Sequence, residues 1–182
     1  MKKRTMYWMT TGIVIALLMV WALTPPANAT HGSKRVVSAA KKVVWPVVSD
    51  VANYHKYANG LTAVEILSGN GEGMIRTCSD EFDTWSETCT KWVEGEAYAF
   101  SVNTEDGFPF PFKHFSGTWT VTELLPEETE IAIEFDYQFD YRWMNWFLSG
   151  ATRAAIEDGN DQLLDNWEQK IKVDAQLLSA RQ

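Results

Sequence analysis

The chain has 182 residues, 46% of them hydrophobic and 13% aromatic, enough for one domain with one core, and no internal repeat or low-complexity linker divides it. A formal charge of −8 excludes the basic face that nucleic acid requires. Two cysteines and three histidines, with His31 and His55 far apart and without clustered partners, exclude a metal centre, and no phosphate loop, Gly-x-Ser-x-Gly elbow or Cys-x-x-Cys pair is present, so no cofactor is expected.

At the N-terminus Lys2, Lys3 and Arg4 precede an uncharged, mostly apolar run from Tyr7 to Leu23, followed by Pro25, Pro26 and the small-x-small pattern Ala27-Asn28-Ala29. Residues 1–29 read as a secretory signal peptide and 30–182 as the domain. The apolar run exceeds the ~7–15 residues of a signal-peptide core and approaches the about 17–25 of a bilayer span, so an uncleaved anchor is the alternative. Either reading places the domain outside the cytoplasm, periplasmic or secreted.

From Gly32 to Gly60, Val36, Val37, Ala40, Val43, Val44, Val47, Val48 and Val51 recur at helical spacing. Pro46 predicts a bend or a helix start near Trp45, and Asp50 or Asn53 is placed to cap a second short helix. After Asn59-Gly60 the pattern turns to strands, at 61–67, 74–80, 84–93, 97–103, 115–125 and 129–141. The first two are joined by the turn 68–73, and a loop of alternating phenylalanine and proline, 107–112, precedes the fifth. Short connections between successive strands imply an antiparallel meander.

Residues 142–179 contain no proline and no period-two alternation, and predict one long helix. Trp143, Trp146, Phe147, Gly150, Ala151, Ala154 and Ala155 form one stripe; Ile156, Leu163, Trp167, Ile171, Ala175 and Leu178 form another. The stripes change at 157–161, where the helix either kinks or meets two different surfaces. Small residues early and bulky ones late leave a hollow at one end. The whole is an α+β layout.

The run VVWPVVSDVANYHKYANGLTAVEILSGNGEGMIRTC, followed by WSETCTKWVEGEAYAFSV and SGTWTV, resembles the polyketide cyclase/dehydrase branch of the START-like, helix-grip (SRPBCC) superfamily over Val43 to about Tyr137. The resemblance implies a curved antiparallel sheet wrapped around the C-terminal helix with an internal, largely apolar cavity. The chain departs from the pattern in its leader and in a first strand reduced to a few residues around Arg35 to Val37.

Strand alternation leaves two choices of inner face: Met74, Arg76 and Cys78 or Ile75, Thr77 and Ser79 in the second strand, and Trp85, Glu87 and Cys89 or Ser86, Thr88 and Trp92 in the third. Because charges seldom face a core unpaired, Arg76 and Glu87 are expected outside in water, or else inside as an ion pair. Inside, Arg76 offers a fork for carboxylate or phosphate and Glu87 a general base, with His114 at the cavity mouth as a third catalytic candidate. Candidate ligand-binding residues are Arg76, Trp85 and Trp92 on these strands, Tyr98 and Trp119 on later ones, Phe110 and Phe112 in the loop, and Phe147 and Ala151 on the helix. The phenylalanine loop reads as a lid over the cavity, with folding back on the sheet edge or contact with a membrane as alternatives.

If the hairpin turns tightly at Asp83-Thr84, Cys78 stands opposite Cys89 within disulfide reach. Two buried thiols are the other reading. The function expected is an exported protein binding a small hydrophobic or amphipathic molecule, a lipid, sterol, quinone or polyketide-like compound. A cyclase or dehydratase using Glu87, Arg76 or His114 is the second expectation, and a structural or interaction module of the cell envelope the third.

Overall fold

The computed structural model describes residues 2–23 and 28–180, the side chains of 2–10, 22 and 23 excepted. An N-terminal helix α1 (Lys2–Leu23) leads into β1 (Asn28–Val37), α2 (Lys41–Val48) and a 3-10 helix (Val51–Lys56). The strands β2 (Ala63–Ser68), β3 (Ile75–Ser79), β4 (Thr84–Val93), β5 (Ala97–Val102), β6 (Phe112–Leu125) and β7 (Glu128–Phe139) follow, and α3 (Met144–Ser179) ends the described chain. All seven strands form one curved, unclosed antiparallel sheet in the order β1-β7-β6-β5-β4-β3-β2, with the helices gathered against it. Among the described residues, no helix is long and apolar enough to cross a membrane. The Pro25-Pro26-Ala27 part of the expected cleavage signal lies outside the described residues, whereas Asn28 and Ala29 open β1.

The first strand is the largest departure from expectation. It runs ten residues, not the few expected around Arg35 to Val37, and pairs with β7 along its whole length, from Asn28 opposite Gln138 to Val37 opposite Thr129. Hydrophobic alternation does not reveal it because an edge strand is held by its backbone ladder, and its template is the apolar β7. Gly32 belongs to that pairing: a Cβ there would lie 2.5 Å from the Ile133 carbonyl oxygen. Val36 and Val37 accordingly sit in the strand, and α2 begins only at Lys41. Pro46 lies within α2, which begins at Lys41 and not near Trp45; α2 stops two residues after the proline, with the Ser49 N–H and hydroxyl both donating to the Trp45 carbonyl at 2.8 Å. Asp50 takes the N-cap position of the 3-10 helix, its carboxylate accepting the Asn53 side-chain amide at 3.0 Å.

The β3–β4 register follows from an aspartate turn. Asp80 Oδ1 accepts the backbone N–H groups of Phe82 at 2.8 Å and Asp83 at 2.7 Å, and these bonds hold its carboxyl below the usual range. The loop therefore spans Asp80 to Asp83 and does not turn at Asp83-Thr84. Cys78 lies opposite Trp85, Arg76 opposite Glu87, and Cys89 opposite Phe100 on the next strand. The Cys89 N–H bonds to the Met74 carbonyl, four residues from Cys78, a separation of roughly 13 Å at strand rise. The two cysteines are free buried thiols, which corrects the expected bridge.

The main core gathers Val44, Val47 and Val48 of α2, Tyr98, Phe100, Trp119, Ile131 and Ile133 of the sheet, and Leu163, Leu164, Trp167 and Ile171 of α3. A separate aromatic cluster of Phe112, Tyr137 and Phe139 packs Phe108, Phe115, Met144, Leu148 and Ile156 at the other end. The helix α3 is continuous and meets both, so it is the two-surface arrangement that the polar run at 157–161 marks. Its packed face in the first turns carries Met144 and Leu148, rotated from the expected stripe by one residue, about 100°. Trp143, Trp146 and Phe147 are consequently exposed, Phe147 to 72%. Arg35 ties β1 to α3 through Asp165 at 2.7 Å and Glu168 at 3.1 Å.

Candidate functional site

Between the main core and the aromatic cluster lies a cavity of about 530 Å³. The sheet side is made by Trp85 and Glu87 of β4, Val102 of β5, Phe115 of β6 and Phe135 of β7, joined by Phe112, which a register shift between Phe112 and His114 brings to the same face. Phe108 and Phe110 extend this wall from the phenylalanine-proline loop, and Tyr54, Ala58, Asn59 and Leu61 add a second from the 3-10 helix and the turn after it. Opposite them α3 presents Ala151, Thr152, Ala155, Ile156, Gly159, Asn160 and Leu163. The hollow exists because that helix face is small in its middle: a Cβ at Gly159 would meet nothing within 4 Å.

Glu87 stands in the sheet-side wall, 8% exposed, and the inner face of β3 and β4 is the one carrying Arg76 and Glu87. Their expected position in water is thus corrected to a buried ion pair. Arg76 Nε and Nη2 donate to Glu87 Oε2 at 2.9 and 2.7 Å, and Trp85 Nε1 donates to Oε1 at 2.9 Å. Arg76 Nη1 faces the Val51 carbonyl at 3.4 Å, while the rings of Phe100 and Tyr54 lie 3.8 and 5.2 Å from the guanidinium carbon. Burial is the strongest single influence and pulls the guanidinium down, yet the Glu87 charge and hydrogen bond, together with Cys78 and Tyr98, outweigh it and hold Arg76 above its ordinary value. Burial, reinforced by the Glu87 charge, pushes the Cys78 thiol up to about 12, and burial raises the Tyr54 hydroxyl as well.

Of the residues singled out from sequence, Trp85, Glu87, Phe110, Phe112 and Ala151 line the cavity. Arg76 sits behind Glu87, 1% exposed, with each of its three guanidinium nitrogens making a hydrogen bond. Tyr98 and Trp119 stack on each other in the main core at 4.9 Å, Tyr98 donating to the Val48 carbonyl at 2.9 Å. Trp92 is carried to the far end beside Trp45 by a bulge between Cys89 and Lys91, which shifts β4 by one residue and puts Trp92 on the same face as Glu87. Phe147 is exposed, and His114, on β6, faces solvent with its Nε2 3.1 Å from the Ser116 hydroxyl. Sequence reading missed Phe115 and Phe135, which the alternation of β6 and β7 carries, and Tyr54. It also missed Asn160, 2% exposed with an unpartnered amide nitrogen, for which an aliphatic stripe gives no signal.

An antiparallel sheet gripping a long C-terminal helix, with a hollow between them, defines the helix-grip class. Solved structures that share it include TTHA0849 from Thermus thermophilus (TM-score 0.64, 15% identity, 80% of this chain and 98% of that one), the Zhui aromatase/cyclase from Streptomyces sp. R1128 (0.59, 18%, 82% and 94%) and a START superfamily protein from Mycobacterium smegmatis (0.59, 15%, 79% and 97%). Among curated proteins none matches the chain. The chain belongs to the family described as polyketide cyclase/dehydrase and lipid transport, whose model matches residues 30–172.

Proposed function

We propose that this protein binds a small hydrophobic or amphipathic molecule, of the size and character of a lipid, sterol, quinone or polyketide-like compound, in the cavity between sheet and α3. The observation that carries the reading is the wall itself: about 530 Å³ bounded by five phenylalanines, a tryptophan and a tyrosine, with a single carboxylate among the polar groups. A cavity that its own side chains leave unfilled argues against the third expectation, a purely structural module. The test is titration with the neutral fluorescent reporter N-phenyl-1-naphthylamine. Saturable binding that Ala155→Trp weakens about tenfold or more, with little change in melting temperature, supports the reading, because the indole would occupy the hollow and not the core. Equal binding by both proteins places the reporter elsewhere.

A cyclase or dehydratase acting in the same cavity is the second reading, and the placement of Glu87 favours it. Of the three catalytic candidates only Glu87 reaches the wall, so it would be the base. Glu87→Gln abolishes turnover and spares binding on this reading; an unchanged rate removes Glu87 from any catalytic role. The aromatase/cyclase name belongs to the Streptomyces protein and lends only precedent for the fold. Export is proposed from the composition of residues 1–29, and the N-terminal mass of protein from its native envelope tests it.

A further inference from the structure

The wall carries one kind of charge. Glu87 is the only ionisable acid or base other than Tyr54 that lines the cavity among the described residues; no lysine, arginine or histidine reaches it. The nearest cation, Arg76, is not available to a ligand. Two of its nitrogens donate to Glu87 Oε2, a third faces the Val51 carbonyl, and two aromatic rings cover its plane. A carboxylate or phosphate entering the cavity would give up water, find no guanidinium fork and meet the Glu87 charge. A donor fares differently, since Glu87 Oε1 accepts Trp85 Nε1 and a carboxylate oxygen has a second lone pair.

We propose that the cavity selects its ligand by charge, taking a hydrophobic molecule that ends in a hydrogen-bond donor, a hydroxyl or a protonated amine, and rejecting the same skeleton ending in a carboxylate or phosphate. This rests on the ligand-binding reading above and adds the headgroup to it. The aromatic rings of Tyr54, Trp85, Phe108 and Phe115, which share the cavity wall with the carboxylate, suit an ammonium as well as an alcohol.

Three ligands of one chain length, 1-decanol, decylamine and decanoate, each displacing N-phenyl-1-naphthylamine at about pH 8, test it on the unmodified protein. Decanol and decylamine displace the reporter, and decanoate does so about tenfold or more less well. Decanoate matching or exceeding decanol overturns the proposal. Glu87→Gln narrows the decanol–decanoate gap about fivefold or inverts it, because Arg76 then lacks its partner; a gap left intact also overturns it. Should that variant not fold, Arg76→Met/Glu87→Leu removes both charges and makes the same comparison, where the decanol–decanoate gap must narrow and a gap left intact overturns the proposal. A reporter that binds without discriminating defeats charge selection alone. A reporter that never binds defeats the ligand-binding reading together with it.

Discussion

Arg76 and Glu87 face each other across β3 and β4, with side chains 2% and 11% exposed. A pair so deep repays its desolvation only while both members are present. Arg76→Met, leaving the carboxylate alone, should cost about 3–5 kcal/mol in urea unfolding, while Arg76→Met/Glu87→Leu recovers most of the loss. Equal losses for the single and double variants would show that packing, not charge pairing, sets the cost. The neighbouring acids set an alkaline limit. Cys78 is pushed up to about 12, and Tyr54 and Tyr98 are raised with it, burial being the leading cause for each. A group whose folded pKa is raised gives stability that is complete below its unfolded pKa and lost as pH rises through the folded one. The melting temperature should therefore fall above about pH 9, first through Cys78, with Cys78→Val flattening the decline between about pH 9 and 10. A flat profile for the parent protein would contradict the burial of these groups.

At the scale of elements, α3 carries two glycines in its interior, Gly150 and Gly159, where a Cβ meets nothing within 4 Å. Gly→Ala at either position should stabilise the protein by about 0.5–1 kcal/mol in chemical denaturation, since only the backbone entropy changes. Gly117 is the opposite case. A Cβ there would lie 2.6 Å from the Trp119 ring and 2.8 Å from Phe135, so Gly117→Ala should destabilise by about 1–3 kcal/mol and disturb the cavity wall at Phe135. The strands with strong alternation were legible to within a few residues, and β4 matches at both ends. What alternation could not decide was which face of β3 and β4 is inner, because both faces of each carry polar and apolar residues. Nor could it reveal the bulge that turns Trp92 to the inner face, or β1, whose stability lies in its ladder to β7. The hollow beside α3 was legible in its small residues; the exposure of Phe147 was not, because one residue of helical phase moves a side chain by about 100°.

On the scale of the molecule, the cavity is the gap between two packed clusters bridged by one helix. The half of α3 beyond Asn160 is anchored by Leu163, Leu164, Trp167 and Ile171, whereas the half before it rests on a smaller cluster. Amide hydrogen exchange should run faster over 144–156 and the loop 107–112 than over 160–171, and a bound ligand should slow the first two. Uniform protection along α3 would deny the cavity its soft wall. The thiols offer a further check: denatured without reductant, the protein should take up two alkylating groups, as the register of β3 and β4 requires.

Ala29 is the second residue of β1 and stands opposite Tyr137 of β7. A peptidase takes its substrate as an extended, unpaired chain, and a residue already zipped to a sheet edge is no longer one. A cut after Ala29, where we propose it, is therefore a race. On that proposal it has to be made while β7, about a hundred residues downstream, is still unpaired or still being synthesised, and a molecule that folds first would keep residues 1–29. Whether this protein ends up free or tethered would then be decided by timing, not by equilibrium.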